Sequence, residues 1–126
     1  MTFTFSTIDL DKILNDEIQV KIYADKEDVS TEWKDIIEDT IPRGYEGILL
    51  SMAFNNDISA DIELRVNGKT KGEYGFPVNT AGFPDGMQDV LIMAKIPERA
   101  TFALRARNIG GSATLKYRII LLLVKR

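Results

Sequence analysis

The side chains able to do chemistry in this sequence are carboxylates and hydroxyls, because the chain has no histidine and no cysteine. The commonest general base, the commonest metal ligand and the thiolate nucleophile are therefore missing. Among 19 acidic residues, Asp61 and Glu63 come nearest to a general acid and base. They alternate with apolar residues beside Arg65, however, which assigns them to a solvated, ion-paired strand face. Ser51 has no histidine to activate it, and a serine-lysine arrangement is the remaining route to a nucleophile. Asp25, Glu27 and Asp28, or Asn55, Asn56 and Asp57, carry the oxygen ligands that calcium takes, without the spacing of an EF-hand loop. Gly72, Gly75, Gly82 and Gly86 lack the spacing of a phosphate-binding loop and read as turns. The expectation is a protein that is not an enzyme and holds no cofactor and no metal.

Binding chemistry is better represented. Arg105, Arg107, Lys116 and Arg118 recur with period two, and a hairpin joining their two segments would align them as one basic stripe with Arg105 opposite Lys116. Like charges set directly opposite each other destabilise a sheet unless an anion or an acidic neighbour intervenes. Asp61 and Glu63 on an adjacent strand would serve, and so would the acidic surface of another subunit. A net charge of -3 argues against the global basic field of a nucleic-acid binder and favours a protein partner. Trp33 and Tyr45 offer rings for sugar stacking, the alternative reading being a carbohydrate-binding module, although a lone tryptophan is more often a core residue.

These residues need elements to hold them, and the sequence supplies strands. At 126 residues the chain fits one domain, burying roughly two-thirds of its unfolded surface. Ile18, Val20 and Ile22 alternate with polar residues as a strand with one apolar face. The acidic run Ala24 to Asp28 reads as a loop. Ser30 to Ile41 fits a helix or a strand, and its β-branched residues favour a strand with Trp33, Ile37 and Ile41 on one face. Pro42-Arg43-Gly44-Tyr45 is a turn. Pairing Gly47 to Phe54 with Ser59 to Val66 would put Ile48, Leu50, Met52 and Phe54 on a shared apolar face with Ala60, Ile62, Leu64 and Val66. Asn67-Gly68 is a type I′ hairpin signal. Lys69 to Val78 suits a short edge strand, Asn79 to Met87 a surface loop, and Val90 to Ile96 another strand. Thr101 to Asn108 and the segment from Ala113 onward form the last expected hairpin, with Phe102, Leu104 and Ala106 on one apolar face opposite Ile119, Tyr117 and Leu115.

The C-terminal run is the most apolar. Ala113 to Arg118 alternates, but Ile119 to Val124 is apolar at every position, so both of its faces need cover. Ile120, Leu122 and Val124 would have none from a hairpin partner, which makes them, with Phe3 and Phe5 near the N-terminus, the expected subunit interface. The run is too short to span a bilayer, and the acidic N-terminus lacks the basic start of a secretory signal. The sequence thus predicts a soluble, all-β, antiparallel sandwich of about eight strands, jelly-roll-like or immunoglobulin-like, over residues 17–126. Residues 1–16 are expected to form an N-terminal arm or short helix.

The segments IPRGYEGILLSMAF, VNGK and ATFALRARNIGGSATLKYRIILLLV together resemble the small β-sandwich subunits of tailed-phage and related virions, of the capsid decoration or head-fibre-base type. In those proteins a proline-glycine turn opens a core strand and a final hairpin carries the chain to its end. The resemblance covers roughly residues 30–126 and is one of pattern, without a family site motif. It implies a non-enzymatic virion component, a homo-oligomer that docks on a capsid shell through its N-terminal arm.

Overall fold

The computed structural model describes residues 17–70 and 78–126. Among these residues, alternating sequence becomes nine antiparallel strands: β1 (Ile18–Val29), β2 (Lys34–Thr40), β3 (Tyr45–Phe54), β4 (Ala60–Val66), β5 (Lys69–Thr70), β6 (Val78–Asn79), β7 (Val90–Ile96), β8 (Thr101–Asn108) and β9 (Ala113–Lys125). They form two sheets. Sheet A has the order β1-β9-β3-β7, and sheet B the order β2-β8-β4-β5 with the short β6 also on β4. With β5 and β6 sharing one position, this is the strand order of a jelly roll, which selects between the two expected sandwich topologies.

The consecutive strands β1-β2, β2-β3, β3-β4, β7-β8 and β8-β9 lie in different sheets. Two expected hairpins are therefore corrected. β3 pairs with β7 and β9, and β4 with β8. Likewise β8 pairs with β2 and β4, whereas β9 pairs with β1 and β3. Alternation fixes which residues face inward but not which strand lies alongside, so the apolar faces of β4, β8 and β9 are as expected while their partners are not. The hairpin that stands is the shortest, β4 to β5 across Asn67 and Gly68, with φ of 51° and 79° as a type I′ turn requires.

Met52, Phe54, Ile62, Leu64, Phe102, Leu104, Leu115, Ile119 and Leu121 are almost fully enclosed between the sheets, each worth about 1.5–3 kcal/mol of transfer free energy. Phe83 closes one side, its ring edge-on to Phe54 at 5.0 Å. The loop carrying it has structure after all: Thr80–Gly82 form a 3-10 turn capped by Asn79, and buried Thr80 donates to the Ile58 carbonyl and accepts from the Ala60 N–H. Gly47 is set by close approach, since a Cβ there would lie 2.4 Å from Ile41 Cδ1.

Register shifts explain two further departures. Between Leu49 and Ser51 the ladder of β3 slips, so Leu49, Met52 and Phe54 point into the core while Leu50 joins a separate cluster with Leu122 and Ile48. A slip between Asp35 and Ile37 in β2 buries both Ile36 and Ile37 and leaves Trp33 on the outer side, apart from Ile37 and Ile41. The acidic run Ala24 to Asp28 is part of β1 rather than a loop.

Candidate assembly surface

The side of β1 that faces the sandwich interior is its polar side. Its register with β9 sets Gln19, Lys21, Tyr23, Asp25 and Glu27 beside Leu123, Leu121, Ile119, Tyr117 and Leu115, all five of which point into the core. Ile18, Val20 and Ile22 consequently point outward. The inward polar residues close the open edge of the sandwich. Lys21 Nζ and Tyr23 OH both donate to Asp39 Oδ2, at 2.8 and 2.5 Å, and Lys34 Nζ donates to Glu27 at 2.9 Å. Burial would raise the Asp39 pKa, but the hydrogen bonds from Lys21, Tyr23 and the Thr40 N–H outweigh it and hold the carboxyl below its usual range. Burial, and then the Asp39 carboxylate, push the Tyr23 phenol up.

The outward residues of β1 meet outward residues of β9 and β3 in three rows. Ile18 lies beside Val124; Val20 lies beside Leu122, whose other neighbour is Ile48; and Ile22 lies beside Ile120, whose other neighbour is Ser51. Leu91 continues the third row onto β7, opposite Ser51, with Met93 exposed next to it. The result is an apolar outer face spanning all four strands of sheet A. Its centre is well covered, with Leu50 and Leu122 only 2% and 3% exposed, whereas its margins are open, with Val20 and Ile22 at 47% and 62%. Buried Ser51 places on this face a hydroxyl without a hydrogen-bond partner among the described residues. Charges bound the face at both ends: Glu46 and Lys95, 4.0 Å apart, at one, and Arg118 with Asp89, at 3.0 Å, at the other. The expected interface residues Ile120, Leu122 and Val124 all lie here, while Phe3 and Phe5 fall outside the described residues.

The outer face of sheet B has the opposite character. Asp61 is directly beside Arg107, and Glu63 beside Arg105. Arg107 Nε is 3.3 Å from Asp61, and Arg105 reaches both Asp35 at 3.3 Å and Glu63 at 3.9 Å. Arg65 also binds Glu63, at 2.8 Å. The Trp33 ring lies against the two guanidinium groups, 5.3 Å from that of Arg105 and 4.6 Å from that of Arg107, a cation-π arrangement.

The basic stripe is thus divided. Arg105 and Arg107 lie on the outside of sheet B, while Lys116 and Arg118 lie on the outside of sheet A, because β8 and β9 belong to different sheets. Lys116 stands beside Lys26 of β1 instead of Arg105. Arg118 is held by Asp89 and by the Met87 carbonyl. The two candidate sugar-stacking rings are also separated, Trp33 preceding β2 and Tyr45 opening β3, with the length of β2 between them, about 23 Å at ~3.3 Å per residue. Tyr45 packs on the core and accepts a hydrogen bond from Gln19.

Asn55, Asn56 and Asp57 act as loop fasteners. Asn55 bridges to Asp57, the Thr114 carbonyl and the Lys116 N–H, and Asn56 bridges to Asp85 and the Phe83 carbonyl. The alternation of Ile18, Val20 and Ile22 gives β1 one apolar face but not the direction in which it points. The signal was there in its other face: Lys21, Asp25 and Glu27 cannot line a core without partners.

Neither a protein-family model nor a curated protein sequence matches the chain. Among solved structures, the crystal structure of the infectious bursal disease virus VP2 subviral particle is similar, with a TM-score of 0.51 and 10% identity over 87% of this chain. The matched region is 33% of that chain, so this protein spans about a third of its length. At that identity the likeness concerns the fold, a β-sandwich found in a viral capsid protein.

Proposed function

We propose that the chain is a non-enzymatic structural subunit of a virion, a capsid decoration or accessory protein that works through subunit-subunit contacts. The apolar outer face of sheet A carries this reading. Contiguous apolar surface on a sheet exterior, bounded by charge, is the usual mark of an interaction site. Here it is built by an edge strand that turns its own apolar side away from the core. The sandwich likeness to a capsid protein is consistent with such a role.

Light scattering across a wide concentration range, together with mass spectrometry of gradient-purified particles from the genome encoding the chain, tests the proposal. A stable oligomer, or a monomer present in fixed ratio to the shell protein, is expected. A strict monomer without affinity for the particles would overturn it.

A further inference from the structure

The four sheet edges differ in how they are protected against pairing with another chain. β7 is irregular, with a register shift against β3 and Met93 in the left-handed region at φ 61°. β2 is short and slips between Asp35 and Ile37, and the far edge of sheet B consists of the two-residue strands β5 and β6. Bulges and short strands of this kind are how native sheets blunt their edges. β1 has neither. It runs for 12 residues, contains no proline or glycine, and keeps an unbroken register with β9 from Ile18 to Val29. Its other edge, about 40 Å long at ~3.3 Å per residue, has no strand beside it among the described residues.

We infer that β1 pairs antiparallel with β1 of a second copy, about a two-fold axis beside Tyr23, to join two A sheets into one eight-stranded sheet. Keeping both apolar faces on the same side requires each residue to meet one of its own parity, because side chains alternate with period two. With Tyr23 opposite Tyr23 of the second copy, Ile22 meets Ala24 and Lys21 meets Asp25, each twice by symmetry. The charge match favours this register. Glu27 is already bonded to Lys34 and Lys21 to Asp39 of its own copy, whereas Asp25 has no ion pair among the described residues, so this register sets it opposite a cation and gives Lys21 a second carboxylate across the axis. Shifting the axis to Ile22 would instead set Lys21 against Tyr23. Pairing also carries the exposed Val20 and Ile22 from the margin of one apolar face to the middle of a doubled one. The inference rests on the chain being an assembling subunit, and it names the contact.

The chain has no cysteine, so introduced thiols report this contact directly. Ile22→Cys and Ala24→Cys both alter exposed positions, which leaves the core intact. Directly opposed residues place their Cα atoms ~4.5–5.5 Å apart, within disulfide range, and diagonal ones do not. Mixing the two variants under mild oxidation should give about tenfold more disulfide dimer than either variant alone, with the 22-to-24 bond found by peptide mass spectrometry. Equal crosslinking in mixture and single variants, or none, in a protein that light scattering shows to be oligomeric overturns the β1 pairing and leaves the structural-subunit reading standing. A protein that is monomeric throughout and binds no particles removes both.

Discussion

The two outer faces of the sandwich solve the same problem in opposite ways. Sheet B turns charged residues outward and neutralises them across neighbouring strands, Asp61 with Arg107 and Glu63 with Arg105, so it needs nothing beyond itself and water. Sheet A turns Ile18, Val20, Ile22, Ile120 and Leu122 outward, and of these Val20 and Ile22 stand open at 47% and 62% exposure. A strand buried on one side tolerates polar residues on the other at almost no cost, so apolar residues on the outer side of three adjacent strands mark where a protein continues into a partner. Sheet B neutralises its own outer face, whereas sheet A leaves the apolar margin that the proposed function reads as an interface.

The contrast can be broken most forcefully by truncation. Leu122→Ala should cost about 2–4 kcal/mol in denaturant unfolding, although Leu122 is on an outer face, because it is enclosed like a core residue. Arg105→Ala, on the corresponding face of sheet B, should cost about 1 kcal/mol, the worth of partly exposed ion pairs and a cation-π contact. Equal losses would mean that the two faces are not different in kind.

A smaller effect is expected at Trp33. Replacing both Arg105 and Arg107 with alanine should expose the ring, shifting its fluorescence to the red, and lower stability by about 1–2 kcal/mol while leaving the association state unchanged. Association that falls with it would place a second interface on sheet B.

The Lys21-Tyr23-Asp39 clasp between the sheets makes a prediction in pH. Asp39 titrates below its ordinary value of 3.8 in the folded protein, so its contribution is present above that value and is lost as pH falls through the lower, folded one. Tyr23 titrates above its ordinary 10.0, so its contribution is full below pH 10.0 and declines as pH rises towards the folded value. Asp39→Asn should flatten the acid limb of a stability-pH curve and weaken the alkaline one. An unchanged profile would show that the clasp does not couple the sheets.

Much of the fold was legible because burial has period two. Ala60, Ile62, Leu64 and Val66, like Phe102, Leu104 and Ala106, were assigned to the core from alternation, and they line it. Strand partners were not legible, since in a jelly roll the chain crosses between sheets after most strands and local hairpin geometry says nothing about such crossings. That is why Arg105 and Lys116 were set opposite one another and Glu63 proved to be the neighbour. Among the candidate site residues, Ile120, Leu122 and Val124 were visible because a doubly apolar strand requires two covers. Val20 and Ile22 were not legible as surface residues, because alternation marks an apolar face without saying which way it points.

Sedimentation equilibrium tests the central claim most directly, comparing the native chain, Val20→Asp/Ile22→Asp on sheet A and Asp61→Asn/Arg107→Gln on sheet B. The account predicts an oligomer for the native chain and for the sheet B variant, with the sheet A variant shifted to folded monomer. Dissociation of the sheet B variant, or a sheet A variant that assembles as the native chain does, would contradict it.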